Sequence, residues 1–192
     1  PWTLKPLWSP LVDIFRTKRW WIVMMQALVS AAFVLLALTL PSPETSTQVP
    51  MSLFTFTLLL FVFAAFSSAT HDIAADGFYM IALDSGQQSF FVGIRSTFYR
   101  LSSIFGQGVL VVVAGVLEEK TGNIPLAWAL TIGLTAVIFS ILTIYHSFAL
   151  PRPAGDSAVS TDGSGSAGEF AKAFASFFRK PGVWIAIIFM LL

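Results

Sequence analysis

Between Ser67 and Arg100 the chain reads SSATHDIAADGFYMIALDSGQQSFFVGIRSTFYR, and here ionisable side chains gather in an otherwise apolar sequence. His71, Asp72 and Asp76 come first, then Arg95, Tyr99 and Arg100. Asp72 and Asp76 are four residues apart, so a helix puts both on one face, with Ser68 a turn earlier. At the C-terminal end of a helix two carboxylates meet each other and the negative end of the dipole, which is unfavourable unless cations lie close. Arg95 and Arg100 are candidates, as are Arg16, Lys18 and Arg19 if they share the same side of a membrane. Three kinds of chemistry fit. The acids could make and break ion pairs in gating or proton coupling. They could sit in a static ion-pair network that fixes a bend. They could, with His71, hold a metal for hydrolysis or group transfer.

The elements that must position these groups are membrane spans. The chain is 56% hydrophobic and 11% charged, where a soluble domain carries about 25% charged residues. The net charge of +1 comes without a basic block for nucleic acid, and the absence of cysteine excludes disulfides and thiolate metal sites. Residues 1–12 read as the tail of a span in which Lys5 either snorkels or faces a polar cavity. Residues 13–19 form a charged hairpin. Uncharged runs at 20–40 and 51–70 are each long enough to span, and Pro41, Pro43 and Pro50 interrupt the segment between them. Asp76-Gly77 supplies a helix stop. Ser85 with Gln88 is a capping-box pattern, so the next helix starts near Gly86 and runs to about Leu117. On it Arg95 and Tyr99 share a face, while Arg100 lies about 140° from Arg95. One arginine can then meet the Asp pair or headgroups while the other points to a cavity. Gly106, Gly108 and Gly115 suit close helix packing. A fourth span covers 126–149, with His146 at its interfacial end.

Residues 150–168 turn rich in Pro, Gly, Ser and Asp, a flexible linker. Phe170, Phe174, Phe177 and Phe178 then form one side of an amphipathic helix suited to a headgroup layer, and another apolar run begins at Val183. Arg16, Lys18, Arg19, Arg152, Lys172, Arg179 and Lys180 fall on one side of the predicted membrane and Lys120 on the other, which makes the first side cytoplasmic. Loops 13–19, 71–89 and 151–181 are thus expected inside. The fold class read from this pattern is all-α, a polytopic membrane helical bundle. Its parts are 1–150 as spans, 151–181 as linker, and 182–192 as the start of a further helix. Both ends read as cut within longer spans.

Two segments carry a resemblance. LKPLWSPLVD at 4–13 with the following KRWW turn, and SSATHDIAADGF at 67–78, resemble the AmpG-type muropeptide permeases of the major facilitator superfamily, whose second segment reads SATQDIAVDG. Eukaryotic acetyl-coenzyme A transporters share both features. His71 stands where that family has Gln, and the superfamily's loop signature keeps only Asp13 and the basic Lys18-Arg19, with Ser9 in place of its first Gly. The resemblance implies helices 2 to 7 of about twelve in two six-helix halves. It implies a monomeric, proton-coupled permease of the inner membrane that imports anhydromuropeptides or a related anionic wall fragment. Its partners would be the lipid bilayer, a small-molecule solute and protons, with no cofactor, no metal and no enzymatic step. His71, Asp72 and Asp76 would serve gating or proton coupling. Lys5, Arg95, Tyr99 and Arg100 would be charge partners or solute contacts, and Asp13, Arg16, Lys18 and Arg19 a cytoplasmic latch.

Two other readings stay open. A membrane metalloenzyme could use His71, Asp72 and Asp76. However, His-Asp phosphohydrolases need more histidines than the remaining His146, and CDP-alcohol phosphotransferases need Ala-Arg soon after Asp-Gly, where Tyr79-Met80-Ile81 follows here. A non-transporting sensor or scaffold could reuse a transporter fold.

Overall fold

In hydrocarbon a backbone must satisfy its own polar groups, and a sequence this apolar does so by forming helices. The computed structural model describes residues 2–40, 50–157, 166–183 and 185. A 3-10 helix, Trp2–Leu7, leads into α1 (Ser9–Ile14), α2 (Lys18–Thr39), α3 (Met51–Ala82) and α4 (Ser85–Ile104). A short π-helical segment, Phe105–Val109, joins α4 to α5 (Leu110–Thr121), and α6 (Ile124–Ala149) and α7 (Ser166–Arg179) follow. Among the described residues four stretches are long and apolar enough to cross a membrane: Lys18–Thr39, Met51–Ala82, Ser85–Thr121 and Ile124–Ala149.

Helix α2 is the centre of the bundle. It packs along both α3 and α6, and α5 packs on α6. Small side chains make the close approaches: Ala32, Ala64, Ala69, Ala127 and Ala136 are buried. Phe33 meets Phe139 edge to face at a centroid distance of 5.4 Å. At the Lys18 end, Val12, Ile22, Ala74 and Phe78 form a buried cluster covered by Trp21, Ile73 and Leu150. Large apolar residues elsewhere on α3 point outward, among them Phe54, Phe61 and Phe63, as lipid-facing surface should.

Local signals set the ends. Thr17 caps α2 by accepting a hydrogen bond from the Trp20 amide at 3.1 Å, and Asn123 caps α6 by accepting from Leu126 at 3.0 Å. Gly122 closes α5 in the left-handed conformation, φ 64°.

Several expectations are corrected. Gly77 does not stop a helix, because α3 runs without a break from Met51 to Ala82. Asp76 therefore sits inside the helix, beyond the last turn where the dipole penalty is concentrated. The capping box is Asp84 with Gln87, one residue before the expected pair, and it starts α4 at Ser85. The helix expected to end near Leu117 reaches Thr121 and contains the π-helical segment. The charged turn shrinks to Phe15–Thr17, because Asp13 belongs to α1 and Lys18 opens α2; Arg16 makes the turn with φ 61°. In the stretch 1–12, expected to be the tail of a span, the described residues form a 3-10 helix, Trp2–Leu7, and most of the short α1, with Pro6 and Pro10 in them. The outer segment 41–49, linker residues 158–165, most of the run from Val183, and the side chains of Phe170, Phe174 and Phe177 lie outside the described residues.

Candidate functional site

Helix α3 is 32 residues long, and a span needs about 20. Its last twelve or so residues, about 18 Å of helix, carry His71, Asp72 and Asp76 past the apolar run. The structure brings cations from two other elements to these acids. Lys5, from the 3-10 helix, pairs with one oxygen of Asp72. Arg95, from α4, pairs with Asp76, and the same guanidinium nitrogen stands 3.6 Å from the other oxygen of Asp72. Lys5 and Arg95 thus balance Asp72 and Asp76 as a neutral four-membered network over three elements. All four side chains keep contact with solvent; Asp76 and Arg95 are about half exposed, at 47% and 51%.

Neighbouring groups orient the network. Trp8 donates its indole N–H to Thr70 Oγ1 at 3.2 Å and stacks at a tilt on Phe66, which seats the segment carrying Lys5 against α3. Tyr79 donates its hydroxyl to the Gln88 carbonyl, and Gln88 donates its amide to the Leu83 carbonyl at 2.8 Å. The Tyr79 ring lies 5.8 Å from the Arg95 guanidinium, so one side chain both ties α3 to the start of α4 and supports the arginine. His71 has a buried Nε2 without a hydrogen-bond partner among the described residues. Arg100 and Tyr99 are not brought to the acids. Tyr99 is 74% exposed, and the Arg100 side chain makes no ion pair or hydrogen bond among the described residues.

A second cluster lies where α1, α2 and α6 meet. Lys18 Nζ is 2.5 Å from Asp13 Oδ1. Its stem crosses α3 at Gly77, where a Cβ would come within 2.7 Å of Lys18 Cε. That close approach, and not a turn, is the role the structure gives this glycine. Asp156, after α6, accepts from the backbone N–H of Lys18 at 2.6 Å and of Arg19 at 3.0 Å. Its carboxylate thereby satisfies two orphan donors at the positive end of α2. Arg19 reaches the other way, donating Nε to the Leu150 carbonyl at 3.1 Å and Nη2 to the Ser147 carbonyl, which completes the C-terminal end of α6. Arg16 stands apart from these bonds, its guanidinium 5.9 Å from the Trp20 ring.

Further along the α2–α6 contact the Gln26 side-chain amide and His146 Nδ1 are 2.9 Å apart, and the hydroxyls of Ser30 and Thr143 are 3.4 Å apart. His146, read as an interfacial residue, is thus an inter-helical partner. Sequence reasoning also passed over Trp8, Thr70, Tyr79 and Asp156. The only signal for Asp156 was a lone carboxylate in a Pro-Gly stretch. Among the described residues no three His, Cys, Asp or Glu side chains converge as a metal-ligand set.

No family model and no solved structure matches the chain. In an alignment 154 positions long that covers 75% of this chain, it is 34% identical to a protein of Rickettsia conorii named "Putative transporter AmpG 4". A Rickettsia felis protein of the same name is 33% identical in an alignment 156 positions long, which again covers 75% of this chain. The chain spans about a third of the length of these curated relatives, 33% in each case.

Proposed function

We propose that these residues are part of an AmpG-type secondary transporter of the major facilitator superfamily. It imports anhydromuropeptides, or a related anionic wall fragment, across the inner membrane together with protons. Residues 1–150 then supply spans of its first half, 151–181 the cytoplasmic linker, and 182–192 the start of the second half. The likeness to proteins named as transporters and the four membrane-length helices support the class.

The observation that carries the mechanism is the position of Arg95 between two carboxylates on one helix face. With both acids ionised, Arg95 holds Asp76 and Lys5 holds Asp72, so α4 and the segment before α1 are both tied to α3. A proton on Asp76 removes one of these attractions and leaves Arg95 to Asp72. The pairing between α3 and α4 then changes: Asp72 is shared by Lys5 and Arg95, and the network carries one net positive charge at the membrane edge, where an unbalanced charge is expensive and favours rearrangement or an arriving anion. Solute binding and helix movement are coupled to the proton through that exchange. Asp13, Arg16, Lys18 and Arg19 act as the latch at the α1–α2 turn, with Lys18 tying α2 to Asp13 of α1 and Arg19 tying α2 to the end of α6.

The test is uptake of labelled anhydromuropeptide by the full-length transporter in vesicles with an imposed pH gradient. Asp76→Asn and Arg95→Ala are expected to lower gradient-driven uptake by more than about tenfold while the protein remains folded. Full uptake in both variants would reject the roles assigned here. The ion pairs of Asp72 with Lys5 and of Asp76 with Arg95 support the gating reading of these acids over the metalloenzyme one.

A further inference from the structure

Helix α4 buries no residue, so its sequence pattern has to say which side meets lipid and which meets water. Ser89, Gly93, Ser96, Arg100 and Ser103 repeat at intervals of four, three, four and three. At 100° per residue they fall in one strip about 80° wide. Phe91, Ile94, Phe98 and Leu101 occupy the opposite side. Polar groups within a span face the bundle interior or a water-filled cavity, so the strip is the inward side and the Phe-rich side meets lipid.

Two hydroxyls of the strip could tolerate lipid, because Ser89 and Ser103 each bond the carbonyl four residues back at 3.0 Å. Arg100 has no such solution. Its side chain, like that of Ser96 and of Gln107 in the π-helical segment, makes no hydrogen bond among the described residues. Depth separates the two arginines as well. Counted back from Leu117, the last apolar residue before Glu118, Arg100 lies about 26 Å along the helix and Arg95 about 33 Å. The hydrocarbon core is about 30 Å thick, so Arg100 is inside its edge and Arg95 outside.

Charge balance then decides which cation is open to a ligand. Lys5 and Arg95 already have Asp72 and Asp76 as counter-ions, and an anion arriving there would have to displace a carboxylate. Arg100 has no counter-ion among the described residues. We infer that the Ser89–Ser103 strip of α4 is a wall of the aqueous solute path, and that Arg100 is the cation that receives the anionic group of the solute. Ser96 and Ser103, one turn to either side, offer hydroxyls to the polar groups flanking that anion. This deepens the transporter reading and rests on it.

The strip can be tested without knowing the solute. In a full-length protein otherwise free of cysteine, Ser89→Cys, Ser96→Cys, Ser103→Cys, Ile94→Cys and Phe98→Cys are treated in membranes with two thiol reagents. One is a membrane-impermeant anionic sulfonate, the other a neutral hydroxyethyl analogue. The strip positions are expected to react and the two control positions on the lipid side to stay protected, with denatured samples confirming that each thiol is present. At Ser96→Cys and Ser103→Cys the anionic reagent should be preferred on the order of tenfold, the usual effect of a focused local charge. Arg100→Gln should erase that preference and Arg95→Gln should leave it.

If Arg100 merely reached a lipid phosphate, Ser96→Cys and Ser103→Cys would be unreactive or would react without charge preference, and the inference would be overturned. Reaction with a preference that survives Arg100→Gln would overturn the role of the arginine. Labelling as expected without muropeptide uptake would defeat the substrate proposed above and leave the anion path standing.

Discussion

The two charged clusters at this end of the molecule use the same residue types in opposite ways. In the first, Lys5, Arg95, Asp72 and Asp76 pair side chain to side chain across elements that hardly pack on one another, and every member is partly exposed. In the second, Asp156 and Arg19 bond backbone groups at the ends of α2 and α6, two helices packed along much of their length. A pair between flexible, hydrated side chains contributes little to stability, about 0–1 kcal/mol, and can be exchanged at little cost. A charged group that satisfies helix-end donors or acceptors is fixed in place by the helix itself. The first arrangement suits a part that moves, and the second a part that holds.

That contrast can be broken most directly at Arg95. Arg95→Ala is expected to lower gradient-driven uptake by more than about tenfold, the effect of a ~1.4 kcal/mol change. Its thermal unfolding in detergent should stay within about 1 kcal/mol of the parent. A variant equally impaired in folding would make the first cluster structural and erase the distinction. Next comes Arg19→Ala, which removes two charge-assisted bonds to carbonyls. It should cost about 1.5–3 kcal/mol of stability, read as a lowered unfolding midpoint, with uptake per folded molecule much less affected. Asp156→Ala is expected to cost about 0.5–2 kcal/mol, as the loss of a helix cap does. Asp156→Asn, which keeps an acceptor, should cost less, and the same melting experiment ranks the two. The smallest effect is expected at Gly77→Ala. The new methyl displaces the Lys18 stem and loosens its pair with Asp13, a change under about 1 kcal/mol. A double-mutant cycle with Asp13→Asn should show the two changes to be less than additive.

The helices and the Asp72–Asp76 face were legible in the sequence because both are written in short-range periods. Long uncharged runs form spans, and a separation of four residues puts side chains on one face. The partner of the acids was legible only in part. Arg95 and Lys5 were both candidate charge partners, Arg95 from its nearness in sequence and Lys5 through the resemblance alone, because its approach to Asp72 across 67 residues is encoded by no local rule. Asp156 lies 138 residues from the Lys18 amide it accepts from, and a carboxylate in a Pro-Gly segment does not announce which helix end it completes. Gly77 misled for a related reason. Asp-Gly is a common way to end a helix, and only the tertiary packing shows that the missing side chain makes room for a lysine from α2. Tyr79 sits in a run whose other members are apolar, so nothing in the spacing marked its hydroxyl as the tie between α3 and α4.

The wide turn at Phe105–Val109 divides one continuous rod into unlike halves. Beyond it, α5 is seated on α6; before it, α4 buries nothing. A π-helical turn carries an extra residue within an α-helix, and kinks in long helices concentrate at such insertions. Bending of this long helix is therefore expected to concentrate at Phe105–Val109, with Arg95 and Arg100 on the arm before it and the arm after it held by the packing of α5 on α6.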